Sequence, residues 1–174
     1  MHAAMQHAAA GAVRLQKNTR LALYSVLEFA SDPTRHIAAA EIAERYDVSA
    51  HHLSKVLSEL ARAGIVESAR GVGGGYRFAA NARRLTLMDV IQLFEDLGAA
   101  DPGRREHGEE TPVGRALAVV LSEIDEIAKS TFATITLATM LRLIERQSAA
   151  QAAAAAGGAV SRARARRARP GRAT

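Results

Sequence analysis

The most constraining stretch of this 174-residue chain is residues 49–78, where a helical pattern runs directly into a glycine-rich hairpin. Four apolar residues recur at helical spacing and predict one buried stripe: Leu53, Val56, Leu57 and Leu60. Short alternating segments over 65–70 and 76–79 flank Gly71-Val72-Gly73-Gly74-Gly75, which predicts a two-stranded hairpin with a glycine tip. A helix with one buried face that leads into a β-wing indicates a protein that reads duplex DNA.

The segments before residue 49 predict the helices that complete such a unit. One helix is expected to be capped by Thr19 and to end at Asp32-Pro33, and a short helix is expected over 38–46. The Asp47-Val48-Ser49 link then supplies a turn and an N-cap for the next helix. Helix, short turn and helix form the helix-turn-helix unit.

Composition agrees with a mainly α fold. Aromatic residues make up 4% of the chain and tryptophan is absent, while 48% hydrophobic residues can fill an ordinary core. We therefore predict a winged helix-turn-helix DNA-binding domain over 17–97, with a two-stranded β-wing and a helix capped by Thr86. Without an 18-residue apolar run or a signal-peptide pattern, we expect a soluble, cytoplasmic protein with no membrane partner.

Four further segments surround that domain. Residues 1–16 are expected to form a flexible leader, and 98–112 a polar loop. Segment 113–147 carries apolar residues at helical spacing, which beyond a complete small domain predicts long dimerisation helices. Segment 148–174 is rich in alanine and arginine, cannot build a core, and is predicted to be a disordered tail.

The glycine-rich tip has competing interpretations. Glycine-rich loops also cradle nucleotide phosphates, but here no Gly-Lys-Ser/Thr follows and the loop leads into a strand instead of opening a helix. A plain flexible hairpin remains an alternative. We favour a wing whose bare backbone approaches phosphates or the minor groove.

The basic residues are distributed unevenly along the chain. The tail over 161–174 contains six arginines and no acidic residue, whereas the other 17 basic residues are outnumbered by 18 acidic ones. Within the body, residues 49–84 hold six basic residues against two acidic ones. The positive charge thus coincides with the predicted recognition helix and wing.

The predicted DNA-contacting residues lie on that helix and wing: Ser49, His51, His52, Ser54, Lys55, Arg62, Arg70, Gly71, Gly73, Gly74, Gly75, Tyr76 and Arg77. Each has a plainer alternative, since Ser49 can act as a cap alone and a histidine can simply occupy the surface. The adjacent histidines point about 100° apart on a helix and make a poor metal site, even with His36 nearby. His107 beside Glu106, Glu109 and Glu110 is a slightly better ligand cluster, but a solvated charged loop is favoured.

Enzymatic chemistry finds no support in the sequence. No nucleophile, base and orienting residue form a recognisable set, and no paired carboxylates stand out. Cysteine is absent, which excludes disulfides, a thiolate nucleophile and a cysteine-ligated metal or iron–sulfur cluster. We therefore expect no enzyme, no resident metal and no cofactor.

These motifs together resemble the Rrf2 family of winged-helix transcription regulators, of the IscR/NsrR type. The resemblance covers about 15–145 and is most specific over Leu60–Phe78, which includes Ala-Gly-Ile-Val-Glu-Ser and Arg-Gly-Val-Gly-Gly-Gly-Tyr. It implies a homodimer on a palindromic double-stranded DNA operator, with the third helix in the major groove and the wing along the minor groove. Many members hold an iron–sulfur cluster with three cysteines in the loop before the dimerisation helix. The loop over 98–112, which occupies this sensor position, has none.

The sequence thus predicts a sequence-specific homodimeric transcriptional regulator, a repressor by occlusion, whose signal is not a cysteine-bound cluster. A regulatory protein or small ligand could take the place of the cluster. The alternative is a non-specific architectural DNA-binding protein, for which the basic tail and wing would suffice. The tail itself is either a solvated segment or, as we favour, an auxiliary cationic arm that adds sequence-independent affinity.

Overall fold

The computed structural model describes residues 14–71, 73–97, 108 and 110–167, with side chains described as far as residue 155. The predicted leader up to residue 13, Val72, most of the 98–112 loop with its His107 cluster, and residues 168–174 lie outside this description. In chain order the elements are α1 (Lys17–Ser31), α2 (Ala39–Arg45), α3 (Ala50–Arg62), β1 (Val66–Ala69), β2 (Gly75–Phe78), α4 (Leu87–Ile91), α5 (Pro112–Thr134) and α6 (Leu137–Arg167).

The core forms where α1 packs against α3, α4, β2 and the start of α6. The predicted stripe of α3 is buried as expected, with Leu53, Leu57 and Leu60 fully inaccessible to solvent. Phe29 of α1 and Leu137 of α6 are likewise fully buried. The mainly α winged helix-turn-helix fold predicted from the sequence is confirmed.

The wing is a two-stranded antiparallel sheet tied to the body by a third segment. Val66 of β1 pairs with Phe78 of β2, and Ala69 pairs with Gly75 at the tip. Ile37, just before α2, exchanges two backbone hydrogen bonds of 2.9 Å with Tyr76. Strand β2 therefore lies between β1 and Ile37 and has backbone partners on both sides, which holds the wing against the helix-turn-helix unit.

Two predicted helix caps are confirmed and one is wrong. Ser49 accepts a hydrogen bond from the His52 backbone N–H, and Thr86 forms a capping box with Asp89. Thr19, however, does not cap α1, which begins at Lys17. Thr19 faces the core and is fully buried, because threonine at that turn position lies on the apolar side of the helix.

The two C-terminal helices differ in how they meet the domain. The junction between them is tied to α4, because Leu87 N–H donates to the Ile135 carbonyl and Leu137 N–H donates to the Leu85 carbonyl, both at 2.9 Å. Yet α5 contributes no buried residue. Within the described part of the chain, no helix is long and apolar enough to span a membrane.

Helix α6 is longer than the sequence analysis predicts. The expected disordered tail begins at residue 148, whereas α6 continues to Arg167. Residues 149–156 are alanine apart from Gln151. Alanine has the highest intrinsic helix propensity, so a helix can continue there without any core to pack against.

Candidate nucleic-acid interface

Helix α3 presents a polar surface opposite its buried stripe. Ser49, His51, Ser54 and Lys55 are all exposed on this surface, at or near the N-terminal end of the helix. The Ser54 hydroxyl donates to the Ala50 carbonyl at 2.8 Å, which leaves its oxygen lone pairs free to accept. Exposed donors and acceptors in the first turns of a helix are the arrangement that can reach base edges and phosphates.

The two adjacent histidines have different surroundings. His51 is exposed, whereas His52 is half-buried and lines a cleft of about 210 Å³ with Asn18, Lys55 and Phe94 among others. The His52 Nε2 atom is inaccessible to solvent and has no hydrogen-bond partner among the described residues. The structure therefore brings His51 to the exposed surface and directs His52 toward α1. Among the described residues, no group of three His, Asp or Glu side chains is placed to hold a metal ion.

Ion pairing divides the predicted cationic contacts into two groups. Arg62 forms an ion pair with Glu59 at 2.6 Å, and Arg77 pairs with Glu67 across the wing. Lys55 and Arg70 are exposed and form no ion pair with any described residue. An acid within contact distance offsets the field of its basic partner, so Lys55 and Arg70 contribute more to the positive potential of this surface.

Positive φ angles or the lack of space for a Cβ explain why glycine occupies these positions in the wing. Gly75 has φ +155°, and a Cβ there would lie 2.5 Å from the Ile37 carbonyl oxygen. A Cβ on Gly74 would lie 2.4 Å from the Ala69 carbonyl oxygen. The exposed Gly71 and Gly73 have positive φ but open space around them. The tip therefore requires glycine for its own turn, independently of any DNA contact.

Tyr76 is placed at the base of the wing. It is half-buried, and its ring centroid lies 6.2 Å from that of the core residue Phe29. Because its backbone also pairs with Ile37, Tyr76 joins the wing to the body. Like His52, Tyr76 is therefore only partly available for contact with DNA.

Two cations beside α3 were missed by sequence reasoning. Lys17 and Arg20 are exposed on the first turns of α1, and they line a cleft with Asp47 and Val48, which precede the Ser49 cap. The i, i+3 spacing could have indicated a shared face. The predicted start of the helix at Thr19 instead left Lys17 outside it.

A family model for Rrf2, described as an iron-dependent transcriptional regulator, matches residues 15–143. The chain belongs to the Rrf2 family. That match extends from α1 into α6 and includes α3 and the wing. The protein is accordingly a winged-helix transcriptional regulator and not an enzyme.

Curated relatives agree with this assignment. BadM of Rhodopseudomonas palustris, named as an HTH-type transcriptional regulator, is 47% identical over 135 residues, which is 76% of this chain and 84% of BadM. IscR of Cereibacter sphaeroides is 29% identical over 87 residues, covering 48% of this chain and 56% of that protein. The likeness to BadM therefore extends well beyond the segment shared with IscR.

Solved structures show the same fold. IscR of T. potens superposes with a TM-score of 0.62 and 23% identity over 78% of this chain and 91% of that chain. CymR, described as the global cysteine regulator of B. subtilis, gives a TM-score of 0.61 and 22% identity over 75% of this chain and 98% of its own. At these identities the likeness establishes the architecture.

The iron named in the family description does not fit this chain as a thiolate-bound cluster. Iron–sulfur clusters are held mainly by cysteine thiolates, and the sequence contains no cysteine. The donor set that such a cluster needs is thus absent from the whole chain. A signal carried by a cysteine-bound cluster has no place in this protein.

Proposed function

We propose that this protein is a sequence-specific, homodimeric repressor that binds a palindromic DNA operator. The observation that carries the proposal is the exposed N-terminal surface of α3, with Ser49, Ser54 and Lys55 available beside a fully buried stripe. In a winged helix this surface enters the major groove, while the wing lies along the minor groove. Occupying an operator in this way would block transcription from it.

The basic residues supply the second part of the proposed contact. Lys55 and Arg70, which form no ion pair among the described residues, bind phosphates on either side of the groove. Arg62 and Arg77 exchange their glutamate partners for phosphates, at the cost of leaving Glu59 and Glu67 near the DNA. Their contribution to affinity is therefore smaller than that of Lys55 and Arg70.

Dimerisation is proposed to bury one face of α5. Six apolar residues lie on this face, all at least 49% exposed: Val113, Leu117, Val120, Leu121, Ile124 and Ile127. An apolar stripe along a 23-residue helix is far larger than scattered surface hydrophobics and marks an interface. A two-fold axis beside α5 would pair this face with itself and place two copies of α3 one helical turn of DNA apart.

Control of this regulator is proposed to come from a partner protein or a small ligand. The loop over 98–112, which has no cysteine, joins α4 to α5, so whatever binds there acts between the DNA-binding domain and the proposed dimer interface. A bound effector that changes the angle between the two would change the spacing of the recognition helices. Such a change alters operator affinity without touching α3.

Selection of bound fragments from a randomised duplex library at about 0.15 M salt tests the proposal, using the full chain and a version that ends at Gln147. A shared two-fold motif from both versions is expected. The chain without the tail should keep the motif and show a shallower salt dependence, by up to about 5 in log–log slope per chain if all six tail arginines contact phosphates. No motif, with binding lost on truncation, would replace the regulator with a non-specific architectural protein.

A further inference from the structure

We propose that the cleft between α1 and the α2–α3 turn is a second phosphate-binding site, which holds one phosphodiester group of the operator backbone beside the recognition helix. The cleft has a volume of about 170 Å³. It is lined by Lys17, Arg20, Leu21, Tyr24, Tyr46, Asp47 and Val48. The proposal rests on the DNA-binding function proposed above and extends the docking surface beyond α3 and the wing.

The two cations of the cleft are available for an anion. Lys17 and Arg20 are exposed, and neither side chain makes an ion pair or hydrogen bond with any described residue. Two other arginines of the same half of the domain are already paired, Arg35 with Glu41 at 2.9 Å and Arg45 with Glu28 and Glu41. Lys17 and Arg20 therefore project an uncompensated positive field.

One acidic residue also lines the cleft. Asp47 is exposed and lies in the left-handed region at φ +51°, but it makes no ion pair with Lys17 or Arg20. Two cations against one carboxylate leave a net positive charge around the cavity. A singly charged phosphodiester matches that balance better than a multiply charged anion.

Helical spacing directs three side chains toward the same cleft. Lys17, Arg20 and Tyr24 follow at i, i+3 and i+7, which places them on one face of α1. The Tyr24 hydroxyl makes no hydrogen bond with a described residue, so it can donate to a phosphate oxygen. Lysine, arginine and tyrosine are all common donors to DNA phosphates.

Two stacked tyrosines line the cleft. The Tyr24 ring stacks on Tyr46, and the Tyr46 hydroxyl donates to the Glu28 carboxylate at 2.7 Å. Burial of the ring, helped by this hydrogen bond, raises the pKa of Tyr46 above its ordinary value. The stack and the hydrogen bond to Glu28 together fix the position of Tyr46 in the wall of the cleft.

The cleft lies next to the end of α3 that is proposed to enter the major groove of DNA. Asp47 and Val48 lie immediately before Ser49, the N-cap of α3. On the other side of α1, Asn18 lines the neighbouring cleft with His52 and Lys55. When the start of α3 enters the major groove, the DNA strand that borders the groove passes this end of α1. Its phosphates there contact Lys17 and Arg20.

The test measures DNA affinity of the full chain against salt, on the selected operator and on a random duplex of equal length. The double variant Lys17→Ala/Arg20→Ala should weaken binding to both duplexes by the same factor, because phosphates carry no sequence information. The log–log salt slope should become shallower by about 0.9 per chain, since the cleft contacts one phosphate and each lost phosphate contact removes about 0.9. Tyr24→Phe should weaken binding without changing the slope.

A matched control removes the same charge elsewhere. Arg142→Ala/Arg146→Ala lies on the exposed part of α6 and should leave the slope unchanged. An unchanged slope in the α1 variant, or an equal change in the control, overturns the proposal. The proposal is also overturned if the α1 variant binds DNA as the unsubstituted chain does but is no longer stabilised against heat by inorganic phosphate. That result would assign the cleft to a small anion. If the unsubstituted chain shows no operator preference, the proposed function fails while the slope still reports on the cleft.

Discussion

The rings of Tyr24 and Tyr46 stack with their centroids 4.9 Å apart and their planes 15° apart, which joins α1 to the end of α2. Glu28, one turn along α1, accepts from the Tyr46 hydroxyl and pairs with Arg45. The turn that leads into α3 is thereby held against α1 on its polar side. The orientation of the recognition helix consequently depends on α1 as well as on the buried stripe of α3.

Replacing Tyr46 by phenylalanine keeps the stack and removes the hydrogen bond to Glu28. Hydrogen bonds to charged groups contribute about 1.5–3 kcal/mol, and the partial exposure of this pair favours the lower end. Chemical denaturation should show a fall of about 1–2 kcal/mol in the free energy of unfolding. Tyr24→Phe is the control, since its hydroxyl bonds to no described residue; equal losses in both variants would contradict the role of Glu28.

Capping and DNA contact by Ser49 can be separated with two substitutions. Ser49→Ala removes the acceptor for the His52 N–H and should lower the free energy of unfolding by about 1 kcal/mol. Ser49→Gly costs only a few tenths of a kcal/mol, because glycine is a good N-cap. If Ser49 contacts DNA, both variants should lose operator affinity in binding titrations. Full affinity in Ser49→Gly would leave Ser49 a cap alone.

Lys55→Ala should weaken operator binding more than Arg62→Ala does. Both cations are exposed on α3, but Arg62 is paired with Glu59 whereas Lys55 has no acidic partner among the described residues. Removing Arg62 also removes less net field, because Glu59 partly offsets it. Fluorescence anisotropy at several salt concentrations compares the two. A larger loss with Arg62→Ala would show that Arg62 leaves Glu59 to bind a phosphate.

Gly75→Ala should disrupt the contact between the wing and the segment before α2. The new Cβ would lie 2.5 Å from the Ile37 carbonyl oxygen, at a φ of +155° that alanine rarely adopts. Strain of this kind costs about 1–3 kcal/mol, so thermal unfolding should shift to lower temperature and DNA affinity should fall. Ser68→Ala, an exposed change on β1, provides the control. A Gly75 variant as stable as that control would mean that the wing tolerates displacement from Ile37.

A charge introduced on the apolar face of α5 should disrupt the proposed dimer, whereas the same charge on the opposite side should not. Ile124 lies in the middle of the apolar face and is 49% exposed. Ile124→Lys would place a charge in that interface and should convert dimer to monomer in sedimentation equilibrium, with operator affinity reduced accordingly. Ser122→Lys adds the same charge on the opposite side of the helix and should leave the dimer intact. Dissociation by both substitutions, or by neither, would place the interface elsewhere.

Local pattern in the sequence was sufficient for the recognition helix and the wing. The apolar spacing from Leu53 to Leu60 determines which face of α3 is buried, and the Ser49 and Thr86 caps start their helices where predicted. The absence of cysteine excludes a thiolate-bound cluster whatever fold the chain adopts. The helix and its caps depend on residues close together in the chain, where periodicity and capping act directly.

The tertiary structure determined the contacts between segments that are distant in the sequence. It turned His52 toward α1, paired Arg77 with Glu67, buried Thr19 and placed the Lys17–Arg20 cleft beside the start of α3. Each of these outcomes depends on which side of a helix or strand meets another element, and one sequence does not specify that packing. The sequence therefore determined the helices and strands of this regulator and the absence of cysteine ligands for a cluster. Packing determined which of its polar groups remain free to contact DNA.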